Sequence, residues 1–309
     1  MTNATQVWRW LSSWLLKGWH RNAALGLFGF VCFLLFLALT FPADAARVRL
    51  QAEAERAGLV LRMESLSNGL FGVTAKRVRI SRAADNDAVP LLVDQLSVRP
   101  TVFPPGISVG AALLGGTATG SFPSSGQSIR LKLSGIDLSR ANLKALSGVD
   151  AEGKLDGELS LEMPVIRGEA DLSQATGVLR LNGTDLLVRG GILTIPMFGT
   201  PTPVDLPRTS LGTLDGEVSF DKGAGTVQRF HIKGQDVELL TSGTVKMARR
   251  PEYVELALGL RVRPDADFLK RLGPIGAGFN VLPTDGELPG FRDVRVSGYL
   301  GKPAFNPGR

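Results

Sequence analysis

The stretch GKLDGELSLEM (residues 153–163) returns almost unchanged as GTLDGEVSFDK (212–222), fifty-nine positions later. Apolar residues fall on alternate positions in both copies: Leu155, Leu159, Leu161 and Met163 in the first, Leu214, Val218 and Phe220 in the second. A period of two is that of a β-strand with one buried face, so Asp156, Glu158, Asp215 and Glu217 belong to the opposite, solvated face. The D-x-E spacing puts both acids of a copy on one side, as a Ca²⁺ site or an acid–base pair would require. Solvated charge, with Gly157 and Gly216 at a bend, is the simpler interpretation.

The same alternation recurs along most of the chain after Gly58. SIRLKLS sets Ile129, Leu131 and Leu133 against Arg130, Lys132 and Ser134, and YVELALGLRVR sets Val254, Leu256, Leu258, Leu260 and Val262 against Glu255 and Arg261. Ten such segments, many of them separated by Gly, Pro, Asn or Asp clusters, predict a mainly β, mostly antiparallel sheet. With about three inward apolar side chains per strand, at roughly 1.5–3 kcal/mol each, a flat single sheet would forfeit on the order of 45–90 kcal/mol of burial. The sheet must curl on itself, be covered, or cover something else.

Helices to cover it are few. SRANLKALSG (139–148) and PDADFLKRLG (264–273) are the short helical candidates, with Ser139 as N-cap and Gly148 as stop in the first. MFGTPTPVDLPRT (197–209) is too rich in proline for a central strand and predicts a loop or an edge-strand crossing. Three segments share an alternating strand followed by Gly-x-Asp, at Gly135–Asp137, Gly183–Asp185 and Gly234–Asp236, which defines internal repeats near 129–186 and 178–247.

The amino-terminal region has another character. AALGLFGFVCFLLFLALTF (23–41) runs nineteen residues without a charge, about 28 Å as a helix and enough to cross the hydrocarbon core. Arg9, Lys17 and Arg21 precede it and no acid occurs before Asp44, which places residues 1–22, a basic leader carrying all four tryptophans, on the cytoplasmic side. The expected organisation is therefore leader 1–22, transmembrane helix 23–41 and an exported β-rich domain 42–309, with a helix over 43–57 joining the last two. Ala43-Asp44-Ala45 offers a cleavage site just after the run, but the long leader and long apolar run favour a retained anchor.

Chemistry is sparse. The only cysteine, Cys32, lies in the apolar run, and the two histidines are His20, beside it, and His231, on a strand-like segment. GPIGAGF (273–279) resembles a phosphate loop in composition alone, following a helical candidate and preceding no helix. No catalytic, cofactor-binding or metal-ligating residue is assigned and no enzyme activity is expected. The net charge of +6 is spread along the chain, which argues against nucleic acid as partner.

Several segments together resemble a known family. ESLSNGLFGVTAKRVRIS (64–81), SRANLKAL (139–146), the GKLDGELSL stretch and GELPGFRDVRVSGYLGKPAFNP (286–307) are similar to the type II secretion system protein N, GspN, in its deltaproteobacterial form. That family is in turn similar to AsmA-like periplasmic domains, in which an inner-membrane helix leads into a long curved β-sheet with an apolar groove. The resemblance implies a half-pipe fold, a single-pass inner-membrane location with the bulk in the periplasm, and partners among the other membrane and periplasmic components of the secretion apparatus. It carries no catalytic residues.

The surplus of one-sided apolar strands supports an alternative, a lipid-binding or lipid-transfer groove with phospholipid as partner. Its expected lining is Leu155, Leu159, Leu161, Val218, Phe220, Val245 and Leu256.

Overall fold

The computed structural model describes residues 48, 51–52, 55, 59–69, 72–82, 90–144, 148–166, 169–197, 200–249, 253–279 and 282–308. Residues 1–41, with the apolar run, lie outside these. Of the expected 43–57 helix, Val48, Gln51, Ala52 and Glu55 are described and helical. Among the described residues no helix is long and apolar enough to cross a membrane.

The remainder is overwhelmingly strand. β1 (Leu59–Arg62) and β2 (Ser65–Gly69) both pair with β3 (Gly72–Arg82), and β4 (Leu91–Val102), β5 (Pro105–Leu113), β6 (Gly116–Pro123), β7 (Ser128–Asp137) and β8 (Val149–Glu162) follow in sequence order. The small hairpin β9 (Val165–Ile166) and β10 (Glu169–Ala170) leads to the 22-residue β11 (Thr176–Met197). After it come β12 (Thr200–Leu206), β13 (Thr209–Asp221), β14 (Ala224–Lys233), β15 (Val237–Lys246) and β16 (Glu255–Pro264). Two short helices, α1 (Ala266–Arg271) and α2 (Pro274–Phe279), precede β17 (Arg292–Tyr299) and β18 (Lys302–Pro307).

Sixteen of these strands form one sheet, ordered β1-β3-β4-β5-β6-β7-β8-β11-β13-β14-β15-β16-β17-β18, with β2 beside β3 and β12 beside β11. Every pairing is antiparallel except one bridge, Met197 to Phe305, which is parallel. This bridge returns the last strand to the far end of β11. The carboxy-terminal half of the sheet thus closes on itself, whereas β1 to β8 form an open wing.

The order follows from tight turns between neighbours. Leu114-Gly115 (φ 51° and 75°) joins β5 to β6, and Lys222-Gly223 (φ 47° and 81°) joins β13 to β14. Two successive positive φ values make the turn that suits the right-handed twist of paired strands. Proline-rich β12 pairs with β11 alone, as its missing N–H donors require.

Buried apolar residues gather in two places along the same face. Met63, Ala75, Val78 and Val93 form one cluster under the open wing. Leu161, Met163, Ala175 and Phe220 form the other, roofed by the connection between β8 and β11. That connection contains a 3-10 turn, Leu172–Gln174, capped by Asp171, which accepts from the Ser173 backbone N–H at 3.1 Å.

Several elements differ from the sequence-based expectation. β5 and β6 occupy a region (105–123) in which no strand was expected, because Gly, Ala, Ser and Thr dominate it and its alternation carries little bulk. The 139–148 helix contracts to a 3-10 turn at Leu138–Arg140 plus helical residues Leu143 and Lys144, with 145–147 outside the described residues. GPIGAGF contains α2 itself, with Pro274 at the helix start, where a missing N–H costs nothing. The helix expected at 264–273 is present as α1, capped by Asp265 and followed by Gly273 at φ 62°.

Candidate apolar trough

The two copies of the LDGE segment are the neighbours of one strand. β8 and β13 pair with opposite edges of β11 at the same residues: Asp156 and Asp215 both face Asn182, Glu158 and Glu217 both face Arg180, and Leu159 and Val218 both face Leu179. The duplicated sequence thus reads the same template from both sides.

On the outer face this register builds a row of alternating charge across five strands, Lys132, Glu158, Arg180, Glu217 and Arg229. Arg180 lies 3.6 Å from Glu217, and Arg229 lies 2.7 Å from Asp215 and 3.9 Å from Glu217. Because β11 separates the two acidic pairs, they stand about 10 Å apart at the backbone, too far to share an ion. Among the described residues no group of His, Cys, Asp and Glu gathers with metal-binding geometry. Asp156 has a local task instead, accepting from the Gly135 N–H at 2.8 Å, where β7 bulges with φ 63°.

The glycines of the motif are not bends. Gly157 and Gly216 lie within uninterrupted strands and outside the left-handed region. They face inward on either side of Leu181: a Cβ on Gly157 would come within 3.2 Å of Leu181 Cδ2, and one on Gly216 within 3.0 Å of the Phe230 ring. Their role is to leave room for larger side chains on adjacent strands.

The Gly-x-Asp repeats are structural too. Asp137 accepts from the Ser139 N–H at 3.0 Å and caps a 3-10 turn; Asp185 sits at φ 54° where β11 shifts register. Asp236 accepts from the Ser210 N–H at 2.6 Å and from Arg271 at 2.5 Å, tying α1 to the ends of β13 and β15. His231 lies on the outer face of β14 and pairs with Glu238 at 2.8 Å. Burial pushes the Glu238 carboxyl up, but His231 and the Arg263 guanidinium together hold it below its usual range. Asp185 is exposed, and each of the other groups is occupied by its neighbours rather than directed into a cleft.

The inner face holds an apolar space. Across β5, β6, β7, β8 and β11 it forms an open trough of about 330 Å³, lined by Val109, Phe122, Leu131, Leu133, Leu159 and Leu181 among others, with small residues Ala111, Ala118 and Gly120 widening one wall. Leu131 is 36 % exposed although it lies in the middle strand of the five. Nothing among the described residues covers it.

The seven residues expected to line a groove all lie on this face but do not all meet. Leu159 lines the trough. Leu161 and Phe220 are buried in the adjacent cluster, with Val218 packed against it. Leu155 pairs with Gly183 and Ile136 further along the strand, and Val245 faces Leu256 in the closed half. The trough residues of β5 and β6 went unseen in the sequence, although Ile107, Val109, Ala111 and Leu113 do alternate there.

No protein family, curated protein or solved structure matches this chain significantly.

Proposed function

We propose that the protein is a membrane-anchored β scaffold that works by binding rather than by catalysis, and that the open trough holds an apolar chain such as a lipid acyl tail. The uncovered apolar floor around Leu131 and Phe122, continuous over five strands, carries this proposal. A stable sheet forfeits burial at such a surface unless something fills it. The test uses the full chain in nanodiscs containing a diazirine-bearing phospholipid. Illumination should produce adducts at Phe122, Leu131 and Leu159, and adducts confined to residues 23–41 would refute the trough as a lipid site.

Its proposed setting is the type II secretion apparatus, as an accessory or assembly component with one inner-membrane span, a cytoplasmic amino terminus and the sheet in the periplasm. The resemblance of residues 64–81, 139–146 and 286–307 to the type II secretion system protein N supports this. The basic leader before residues 23–41 supports the orientation. Deleting the gene should lower enzyme activity in the culture medium and raise it in the periplasm; unchanged export would refute the setting while leaving the trough untouched.

A further inference from the structure

Among the described residues, seven of the fourteen exposed large apolar or tyrosine side chains lie at one end of the sheet, at turns or strand ends. The register proves that this is a single rim. Gly106 faces Pro123, Ser128 faces Glu162, Glu162 faces Thr176, Gly177 faces Phe220, Ala224 faces Lys246, Lys246 faces Glu255, and Glu255 faces Tyr299. Val102 and Phe103 project from the β4–β5 turn, Val165 and Ile166 from the β9–β10 hairpin, Tyr253 from the connection before β16, and Tyr299 and Leu300 from the turn before β18. Phe103 is 93 % exposed.

The other end also bears charge. Its connections carry Asp265, Asp267, Lys270 and Glu287, and Lys270 pairs with Asp267 at 2.8 Å. Nearer that end Leu91, at the start of β4, is exposed, as are Leu92 and Ile192 within strands.

Apolar tips of this kind cost free energy in water unless they have a partner. We propose that the rim is a membrane-contacting edge, resting on the interface of the same bilayer that holds residues 23–41, so that the trough opens toward the lipid. Two observations favour a bilayer over a protein. The tips are spread across four separate connections instead of forming one flat patch, which suits a partner without fixed relief. Tyr253 and Tyr299 pack edge to face at 6.2 Å, with Lys222 and Lys302 exposed in neighbouring turns, the mixture of aromatic, aliphatic and ammonium groups that partitions at headgroup level.

The rim also bears on the trough. Ile107 and Phe122, both exposed on the inner face, lie between its floor and the β4–β5 turn. An acyl tail leaving the bilayer at the rim would meet apolar side chains without crossing water.

This inference rests on the anchored reading, and spin labels separate the two. The full chain is reconstituted in phosphatidylethanolamine–phosphatidylglycerol vesicles with nitroxides on Phe103→Cys, Leu300→Cys or Glu287→Cys in a Cys32→Ser background, and on native Cys32 as the reference for lipid depth. Collision with an aqueous nickel chelate should fall about tenfold at 103 and 300 relative to 287, with oxygen collision raised. Labels at 103 and 300 as wet as that at 287, beside a dry Cys32, overturn the rim alone. A wet Cys32 overturns the anchor and the rim together. Protection at 103 that persists in detergent and grows with protein concentration identifies a protein contact, and overturns the rim as well.

Discussion

Leu131 and Leu161 lie on the same face of adjacent strands, two positions apart in register, and replacing each with alanine separates trough from core. Leu161 is 2 % exposed and packs among Met163, Ala175 and Phe220, so Leu161→Ala leaves a cavity and should cost about 3–5 kcal/mol. Leu131 is 36 % exposed and opens onto the trough, so Leu131→Ala loses about two thirds of the transfer free energy and leaves no enclosed cavity, roughly 1–1.5 kcal/mol. At about 2–4 °C per kcal/mol, melting temperature should fall by roughly 6–20 °C for the first and about 2–6 °C for the second. Far-UV circular dichroism of the full chain in nanodiscs is the suitable assay. Tryptophan fluorescence would miss the sheet, since all four tryptophans lie at positions 8, 10, 14 and 19. Leu131→Asp should lower the yield of photo-adducts in the trough about tenfold at a similar modest thermal cost. If Leu131→Ala destabilises the protein as much as Leu161→Ala, the floor of the trough is ordinary core and the reasoning fails.

Three further outcomes follow from the outer face, the glycines and the capping acids. Arg180→Glu sets three acids side by side with Glu158 and Glu217 and should lower stability by about 0.5–2 kcal/mol, a deficit that shrinks at high salt; a salt-independent loss would point to packing instead. Gly225→Ala places a Cβ 2.6 Å from the ring of buried Phe220 and should cost about 1–3 kcal/mol, whereas Gly278→Ala in α2 meets open space and should gain about 0.5–1 kcal/mol, both read from thermal melts. The Asp285 carboxyl is held below its usual range by the Glu287 and Leu288 backbone N–H groups and by Arg261, against the effect of burial. Its folded-state pKa is depressed, so its contribution is complete above the unfolded value of about 4 and is lost as pH falls through the folded value. Asp285→Asn should therefore lower the melting temperature at pH 7 and converge with the parent protein as pH falls through that depressed value; a deficit that stays the same across the acid range would contradict this.

Much of the fold is legible locally. Alternation in SIRLKLS and YVELALGLRVR identifies their strands and which residues share a face, and the solvated position of Asp156, Glu158, Asp215 and Glu217 follows from the same count. Proline spacing in 197–209 argues against a central strand and leaves a loop or an edge strand, and β12 pairs with β11 alone. Where side chains are small the signal fades: β5 and β6 carry Gly, Ala and Ser at positions where other strands carry Leu, and half of the trough rests on those two strands. Gly157 and Gly216, taken alone, suggest a bend, and only the presence of Leu181 between them shows that they make room.

Strand character and facing are properties of a few consecutive residues, so the order of amino acids settles them without reference to the rest of the chain. Adjacency is not. That both LDGE copies border β11, that β18 returns to Met197, and that Leu161 is buried while Leu131, two register positions away, stands open depend on contacts between residues far apart in the chain. Those contacts are selected by the curl of the whole sheet and by the one connection, at 163–175, that roofs a part of its apolar face. The alternating pattern is the same on both sides of that roof, and tertiary structure alone decides which leucines become core and which line a trough.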